Sequence, residues 1–523
     1  MHHHTMIGHT ATDLARLIRS GEVSSTEVVA AHIEQIEAVN PQVNAVCWPL
    51  FDQARAEAAA ADEARARRAD LGPLHGVPVT IKECFDMAGT PSTLGLPFLR
   101  ENVAKADGLP VARLRQAGAI VLGKTNVAQM LMMIETDNPL YGRTSNPWDL
   151  TRTPGGSSGG ESAIIAAGGS PLGLGNDVGG SIRIPAHFTG IHGLKPTSHR
   201  LTHGLNTTGR YFGGNDSVAA AAGPLARSVA DLELAMAVLA APGQEMVDSF
   251  IPPVAWPDAR QISVKGMRIG FYTDDGYFPS SPALRRAVKE AAAALEQRGA
   301  IVEEWTPPGV AEVFPLFSAL RGADGWESVA EMLKGNGPVP APLARILQSR
   351  KIPRWAAGAV ATLMERGGNA TLAKVVRSSG RRTAAEYFDL LGRRNGWRMR
   401  FMQEMTRFDA VLSPPAALPA PQHGTTAQAS VTSSYSVIYN LLGAPAGTVS
   451  ITRVRPGEES DRPASRDAVA EGARAIEAGS AGLPVGVQVA ARHWREDIVL
   501  AVMGALEEQF REQPDYPSGA WRR

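Results

Sequence analysis

The segment from Met130 to about Leu205 is dense in glycine, serine and proline and yet keeps many apolar side chains. Flexible linkers are rich in the first group of residues but lack the second, so this segment is neither a linker nor a low-complexity tract. Glycine lets the backbone approach another group closely. We therefore expect the backbone of residues 130–205 to lie close against another group. Within it, the stretch GLGNDVGGSIRIPAH at 173–187 marks Ser181 as a candidate nucleophile.

Short apolar runs on either side of this segment alternate with helical patterns. Residues 76–82 and 119–122 have the composition of buried strands, and a helix is predicted between them near 109–117. Strands that alternate with helices predict an α/β fold. The same order of strand, helix and strand recurs at 267–272, 284–298 and 300–302, and late strands are predicted at 408–412 and 482–490.

Two helices are predicted near the start of the chain. Ser24 and Glu27 fit a capping box, and apolar residues follow at helical spacing until Asn40 and Pro41, where we expect the helix to end. Residues 52–70 are rich in alanine and charged residues, which favours a second helix by intrinsic propensity.

Residues 308–405 form a long helical and basic stretch. Scattered arginines of this kind usually lie on solvated helix faces, although a surface for nucleic acid is the alternative interpretation. We interpret the stretch as a helical insertion that covers one face of the sheet as a lid on the substrate side.

Composition and charge exclude several classes of partner. The chain has 52 basic and 52 acidic residues, whereas nucleic acids and anionic membranes are bound by net or local positive charge. The two cysteines, Cys47 and Cys84, provide no disulfide framework, and the sequence shows no secretory leader and no apolar run of membrane-spanning length. We therefore expect a cytoplasmic protein without a nucleic-acid partner or a transmembrane segment. Residues 1–5 resemble the remnant of a histidine tag, which leaves 6–523 as the expected domain.

A nucleophilic serine needs a base, and the first alternatives are the serine elbow and histidine. Ser158 lies in a G-x-S-x-G pattern, but the elbow needs a strand that runs into the serine, and residues 146–154 are polar and contain two prolines. Four histidines follow Ser181, but nothing in their spacing identifies a pair of histidine and carboxylate: His187, His192, His199 and His203.

Lysine is the other candidate base, because Ser–Lys pairs are known variants of the serine triad. At pH 7 the charged form of an ordinary lysine is favoured by a free energy of roughly 4 to 5 kcal/mol. Burial lowers the pKa, so a lysine that acts as a neutral base must be buried. Lys82, Lys124 and Lys195 each follow an apolar segment. On physical grounds alone, each of the three lysines is a candidate base.

Five stretches of the glycine-rich segment together resemble the signature of the amidase signature family. They are NPLYG at 138–142, PGGSSGGE at 154–161, GSPLGLGND at 169–177, GGSIR at 179–183 and GIHGLKP at 190–196. The resemblance extends over nearly the whole chain and, within the family, points to the fatty-acid-amide-hydrolase-like and related bacterial amidases. It implies a single large domain with a central mixed β-sheet covered by helices.

The resemblance also implies a Ser–Ser–Lys triad. Ser181 is then the nucleophile, Ser157 the proton bridge, following a cis peptide bond from Gly156, and Lys82 the base. The oxyanion is expected against the backbone N–H groups of the nucleophile loop, which are those of Val178, Gly179, Gly180 and Ser181. Supporting roles in ordering the site are expected for Ser158, Asp177 and Arg183. The triad requires no cofactor and no metal.

The implied reaction is hydrolysis of C–N bonds in hydrophobic amides, anilides or carbamates, and also of esters, through an acyl-enzyme. Adaptable apolar side chains suit such substrates, although core packing explains the same residues equally well. The candidate pocket residues are Met130, Met133, Ile134, Tyr211 and Phe212. We expect a monomer or homodimer that acts on a small hydrophobic molecule. The alternatives are the glutaminase subunit of a tRNA-dependent amidotransferase and a non-catalytic scaffold on the same fold.

Overall fold

The protein forms an α/β structure around one mixed sheet. The computed structural model describes residues 3–202 and 216–520, and in these residues eleven strands form a single sheet in the order β1-β3-β2-β4-β6-β5-β10-β11-β9-β7-β8. The strands are β1 (Val46–Pro49), β2 (Pro78–Lys82), β3 (Ile120–Thr125), β4 (Leu172–Asp177), β5 (His192–Lys195), β6 (Ala221–Ala226), β7 (Arg268–Phe271), β8 (Ile301–Glu304), β9 (Ala410–Ser413), β10 (Ala446–Arg453) and β11 (Pro484–Ala491). The predicted fold class is confirmed.

Helices cover this sheet, and the longest of them in the described residues, with 22 residues, comes directly before β9. They are α1 (His3–Gly8), α2 (Ala11–Ser20), α3 (Ser25–Val43), α4 (Phe51–Ala66), α5 (Leu109–Gln116), α6 (Gly159–Ala166), α7 (Arg183–Thr189), α8 (Val229–Leu239), α9 (Pro282–Gln297), α10 (Val313–Arg321), α11 (Glu327–Leu333), α12 (Ala341–Ser349), α13 (Arg354–Arg366), α14 (Ala370–Ser378), α15 (Ala384–Met405), α16 (Thr426–Ala429), α17 (Ser434–Leu442), α18 (Ala468–Glu477) and α19 (Glu496–Phe510).

The central strands pair in both directions. β2 runs parallel to β3 and to β4, and β4 then pairs antiparallel with β6. All residues of β2, β3 and β4 are buried. A strand buried along its whole length has both faces covered, which is the arrangement that places polar side chains in a dry interior.

The capping box at the start of α3 is confirmed, because Ser24 and Glu27 form both of its hydrogen bonds. The predicted end at Asn40 and Pro41 is wrong, since the helix continues to Val43. The Asn40 carbonyl accepts the N–H of Asn44, at 2.8 Å, and the Asn40 side chain accepts the next two N–H groups. Asn40 therefore satisfies the last turn, and Pro41 is tolerated two residues from its end.

The segment 308–405 is helical, as the sequence predicts, and contains α10 to α15. Its first helix, α10, packs against α17 and belongs with it to an apolar cluster separate from the main core. In the described residues, none of the helices combines the length and the hydropathy that crossing a bilayer requires.

Candidate active site

Ser181 lies in a tight turn between a strand and a helix. β4 ends at Asp177 and α7 begins at Arg183, so the connection has five residues, 178–182. Gly180 has a φ of 109°, and an added Cβ would lie 2.6 Å from Ile184 Cδ1 and 2.8 Å from Ser436 Cβ. Only glycine fits this position. The turn leaves Ser181 partly exposed between buried neighbours.

An ion pair between Asp177 and Arg183 fixes this turn, and both side chains are fully buried. The Asp177 carboxylate accepts the N–H groups of Gly180 at 2.8 Å and Ile182 at 3.0 Å. Burial by itself raises the pKa of Asp177, but the charge and hydrogen bonds of Arg183 outweigh it and hold that pKa well below its usual range. Asp177 is therefore ionised, and its hydrogen bonds hold the turn of Ser181 from the inside.

Arg183 extends the same network to α17 and β11. Its guanidinium donates to the Ser436 carbonyl at 2.9 Å, to Gln488 Oε1 at 2.6 Å and to Asn440 Oδ1 at 2.6 Å. Asn440 also donates to Asp177 at 2.8 Å. Every polar atom of the buried pair thus has partners, which buried charges require. No local sequence pattern reveals these three partners, because they lie more than 250 residues away along the chain.

Lys82 is the last residue of β2, and it is completely buried. Its ammonium nitrogen lies 2.7 Å from Ser157 Oγ, 2.8 Å from Ser158 Oγ and 2.7 Å from Asn176 Oδ1. Burial lowers the pKa of Lys82 to about 8, although nearby acidic groups, among them Cys84 and Asp177, act in the opposite direction. An amine with this pKa can lose its proton near neutral pH.

Ser157 follows a cis peptide bond from Gly156, the bond that the resemblance implies. The backbone of residues 133–135 lies directly against Gly156: an added Cβ there would be 2.4 Å from the Met133 carbonyl oxygen and 2.9 Å from Glu135 N. Glycine at 156 is therefore required by the close approach of two backbone segments.

Ser158 contacts Lys82 directly, in addition to bracing the serine loop. Its hydroxyl accepts from Lys82 as Ser157 does, and its backbone N–H donates to the Ser181 carbonyl oxygen at 3.3 Å. Ser158 thus joins the loop of Ser157 to the turn of Ser181. Within the described residues, the Ser181 hydroxyl makes no hydrogen bond to another group.

The four N–H groups expected at the oxyanion differ in their availability. The Gly180 N–H donates to Asp177, at 2.8 Å. In the described part of the chain, the N–H groups of Val178, Gly179 and Ser181 have no protein acceptor. Val178, Gly179 and Ser181 are also the partly exposed residues of the turn. Gly180 therefore differs from the other three, because its N–H already has an acceptor.

The rival bases have other partners. Lys124 donates to the Pro91 carbonyl at 2.5 Å and Lys195 to the Pro196 carbonyl at 2.8 Å. His187 contacts the Leu418 carbonyl at 3.1 Å and accepts the Gly486 N–H at 2.9 Å, and burial lowers its pKa to about 4. His192 accepts the N–H of Ser450. His199 stacks on Phe250, and His203 lies outside the described residues.

The candidate pocket residues separate into three groups. Met130 is buried in the main core, with 1% of its surface exposed, so core packing is its role in the fold. Met133 and Ile134 are partly exposed and pass beside Gly156. Tyr211 and Phe212 lie outside the described residues.

Two apolar side chains near the turn of Ser181 were not identified from the sequence. An added Cβ at Gly179 would lie 3.3 Å from Phe317 Cζ on α10 and 3.8 Å from Val437 Cγ2 on α17. Phe317 belongs to the helical segment 308–405, which thereby contacts the turn of Ser181. Helical periodicity alone could not indicate which side chain of α10 reaches this turn.

A buried carboxyl group also lies close to Lys82. Glu161, on α6, accepts hydrogen bonds from the hydroxyls of Thr80 on β2 and Thr125 on β3. Burial raises the pKa of Glu161 to about 7, against the opposing effects of these hydroxyls and of the charge on Lys82. In the parts of the chain that the structure describes, no group of three or more His, Cys, Asp or Glu side chains is arranged to hold a metal ion.

Comparison with known proteins gives the family. The amidase family model matches residues 27–500. Fatty-acid amide hydrolase 1 of Sus scrofa is 33% identical over 510 residues, which cover 94% of this chain and 84% of that protein. A solved structure of a fatty acid amide hydrolase superposes with a TM-score of 0.84 at 26% identity, covering 97% of this chain and 86% of the other. A bacterial aryl acylamidase superposes with a TM-score of 0.74 at 25% identity, covering 98% and 99%.

The match extends over nearly the whole chain in sequence and in fold, and it includes the strand, turn and helix that carry Ser181. A non-catalytic scaffold is therefore set aside. This chain belongs to the amidase family and hydrolyses amide carbon–nitrogen bonds other than peptide bonds.

Proposed function

We propose that Ser181 is the nucleophile of this amidase, that Ser157 transfers its proton and that Lys82 is the base. The observation that carries the proposal is the contact of 2.7 Å between the buried Lys82 amine and Ser157 Oγ, beside a partly exposed Ser181. Ser157 is assigned as the bridge rather than Ser158 because the family resemblance places the bridging serine after the cis peptide bond. Ser158 and Asn176 position the amine.

In the first half of the reaction, neutral Lys82 takes the proton of Ser157, which takes that of Ser181 as its oxygen attacks the carbonyl carbon. The proton returns through Ser157 to the leaving nitrogen, because an amine leaves far more easily than an amide anion. The C–N bond then breaks and leaves an acyl group on Ser181. Water then loses a proton to the same relay and attacks the acyl carbon. The acid leaves, and the Ser181 hydroxyl is restored.

The developing oxyanion requires N–H donors that are not already in use. We assign this role to Val178, Gly179 and Ser181, because Asp177 accepts the Gly180 N–H. Removal of one such donor typically costs about 3–4 kcal/mol of transition-state stabilisation. Gly180 instead fixes the shape of the turn.

The substrate side of the turn is apolar, which favours hydrophobic amides, anilides and carbamates, and also esters. Phe317, Val437, Ile134 and Val178 belong to or pack against one apolar cluster, and Phe317 and Val437 face Gly179. A fatty acid amide hydrolase and an aryl acylamidase are among the similar proteins. We assign segment 308–405 as a cover on the substrate side, with Phe317 as its contact to the catalytic turn.

Compartment and assembly form a separate part of the proposal. In the described residues, Cys47 and Cys84 take part in no disulfide bond, which is usual in the reducing cytoplasm. We assign the enzyme to the cytoplasm and expect it to act as a monomer or homodimer without another subunit. Light scattering of the purified, active chain tests the assembly.

Labelling with a fluorophosphonate tests the catalytic assignment. The probe should modify Ser181, and Ser181→Ala should abolish the modification. Lys82→Met should slow labelling by a factor of about 10²–10⁴, the usual contribution of a general base. Lys105→Met, at an exposed lysine, is the matched control and should label as the parent does. Unchanged labelling of Lys82→Met would overturn the relay.

A substrate panel tests the bond type and the rival function. The panel holds one acyl group constant across an amide, an anilide, a carbamate and an ester, and includes free glutamine. Turnover of the apolar compounds by the isolated chain supports the proposal. Turnover of glutamine alone, increased by copurifying subunits, would identify the glutaminase subunit of an amidotransferase instead.

A further inference from the structure

A second chain of hydroxyl, imidazole and carboxylate lies outside the proposed triad. Ser145 Oγ is 3.3 Å from His423 Nε2, and His423 Nδ1 is 3.1 Å from Glu135 Oε1. A nucleophile within reach of a base, and a base oriented by a third group, is the general geometry of an activated serine. The sequence gives no sign of it, because His423 is almost 280 residues beyond Ser145.

The carboxylate of this second chain is buried and ionised. Besides His423, Glu135 accepts the Gly424 N–H at 3.1 Å and the Thr426 hydroxyl at 2.7 Å. Burial raises the pKa of Glu135, but these hydrogen bonds prevail, and the pKa lies below its usual value.

The charge of Glu135 determines the tautomer of His423. An ionised carboxylate only accepts hydrogen bonds, so His423 Nδ1 carries the proton that faces it. His423 Nε2 is then the acceptor for the Ser145 hydroxyl. The carboxylate would also stabilise the imidazolium that forms when the proton of Ser145 is taken.

Backbone hydrogen bonds hold Ser145 and His423 in place. The Ser145 N–H donates to the Val43 carbonyl at 2.9 Å, and the His423 N–H to the Thr151 carbonyl at 3.1 Å. Ser145 and His423 are both partly exposed. A small molecule in solution can therefore reach Ser145.

We propose that Ser145 is a second nucleophile, activated by His423 and Glu135, that accepts acyl groups from small activated esters. The N–H groups of Ser145 and Asn146 already donate to Val43 and Arg152, so neither can stabilise an oxyanion. This restricts the activity to esters with good leaving groups, such as p-nitrophenyl acetate.

In the acylation step, Ser145 Oγ forms a bond to the acetyl carbon and its proton passes to His423 Nε2. The bond from that carbon to the phenolic oxygen breaks, and p-nitrophenolate leaves with the electron pair. His423 then loses its proton to solvent. Water hydrolyses the acetyl-serine with His423 again as the base, and Ser145 recovers its proton.

The test uses the Ser181→Ala chain, so that the proposed amidase nucleophile does not compete. The protein is mixed with p-nitrophenyl acetate, quenched in acid and digested, and the acetylated serines are quantified by mass spectrometry. We expect acetyl-Ser145 to form faster than acetyl-Ser20 by a factor of 10² or more. Ser20 is a matched internal control, because it is more exposed and, among the described residues, its hydroxyl donates to the Leu17 carbonyl and the Glu22 carboxylate and to no histidine.

Variants of His423 and Glu135 test whether Ser145 reacts because it is activated or only because it is exposed. His423→Gln keeps a polar side chain but no base, and Glu135→Gln removes the carboxylate charge. Both should reduce acetylation of Ser145 to the rate at Ser20, with unchanged circular dichroism. Acetylation of Ser145 no faster than that of Ser20, or equal acetylation in His423→Gln, would overturn the proposal. Because each serine is read separately, an error in the assignment of Ser181 does not affect the result.

Discussion

The hydroxyl of Thr80 donates to the carboxylate of Glu161, and Thr80 lies two residues before Lys82 on the same face of β2. The proposed base therefore has a buried carboxyl group one pleat away. Both groups titrate near neutral pH, at about 8 for Lys82 and about 7 for Glu161, with burial as the main cause in each case. The charge on Glu161 favours the protonated form of Lys82.

Acylation of Ser181 should become faster as pH rises through the pKa of Lys82. Only the neutral amine accepts a proton, and its fraction increases about tenfold per pH unit below the pKa of about 8 and levels off above it. The rate of fluorophosphonate labelling between pH 5.5 and 9.5 measures this. A midpoint near pH 6.5, the usual value for histidine, would contradict the assignment of lysine.

Glu161→Gln should move this midpoint to lower pH. The carboxylate of Glu161 raises the pKa of Lys82, so its removal makes the amine easier to deprotonate. We expect a shift of about half a unit or more, measured from the same labelling profile. Glu37→Gln, which removes the same charge from an exposed helical position, is the control and should leave the midpoint unchanged. A shift to higher pH would contradict the electrostatic coupling.

Arg183→Met should destabilise the protein and disorder the nucleophile turn. It leaves the buried carboxylate of Asp177 without its cation, and breaking a buried pair from one side costs about 3–5 kcal/mol. The free energy of unfolding in urea measures the loss. In the double variant with Asp177→Asn, the loss should be smaller than the sum of the two single losses, whereas additive losses would show that the pair is not coupled.

Two adjacent glycines should respond differently to alanine. Gly180→Ala meets Ile184 and Ser436 and requires a non-glycine residue at a φ of 109°, a conformation that costs about 1–3 kcal/mol by itself. Gly179→Ala approaches the edge of the Phe317 ring at 3.3 Å, and a ring edge can move, whereas its 3.8 Å to Val437 Cγ2 is an ordinary van der Waals contact. Thermal unfolding should therefore show a clearly lower midpoint for Gly180→Ala and a small change for Gly179→Ala. Equal midpoints would contradict this account of the turn.

Local sequence patterns predicted the strands that are built from branched apolar residues, such as β2 and β3. They missed strands rich in glycine and alanine, such as β4 (LGLGND) and β6 (AAGPLA). These strands need small residues because other groups pack directly on them: an added Cβ at Gly173 would meet the Glu161 carboxylate. In β4 and β6, a content of glycine that is typical of loops is therefore the result of close packing.

The signature motif points to the candidate site residues, whereas no local pattern points to the groups that contact them. The residues alone left Lys82, Lys124 and Lys195 equivalent, and only folding shows that Lys82 meets the serines. Asn176, Asn440 and Phe317 have no local pattern that reveals their contacts, because each contact joins segments far apart in the sequence. Tertiary packing decides such contacts, and periodicity carries no information about it.

The proposed triad comes from residues 82–181, whereas the side chain that faces Gly179 from α10 belongs to a segment more than 130 residues later. Natural or laboratory selection can therefore alter α10 and the helices after it without changing any group that transfers a proton. A library confined to 308–405 should yield variants that differ in their preferred acyl group while sharing one dependence of rate on acidity. The architecture thus lets selectivity diverge while the reaction itself is inherited unchanged.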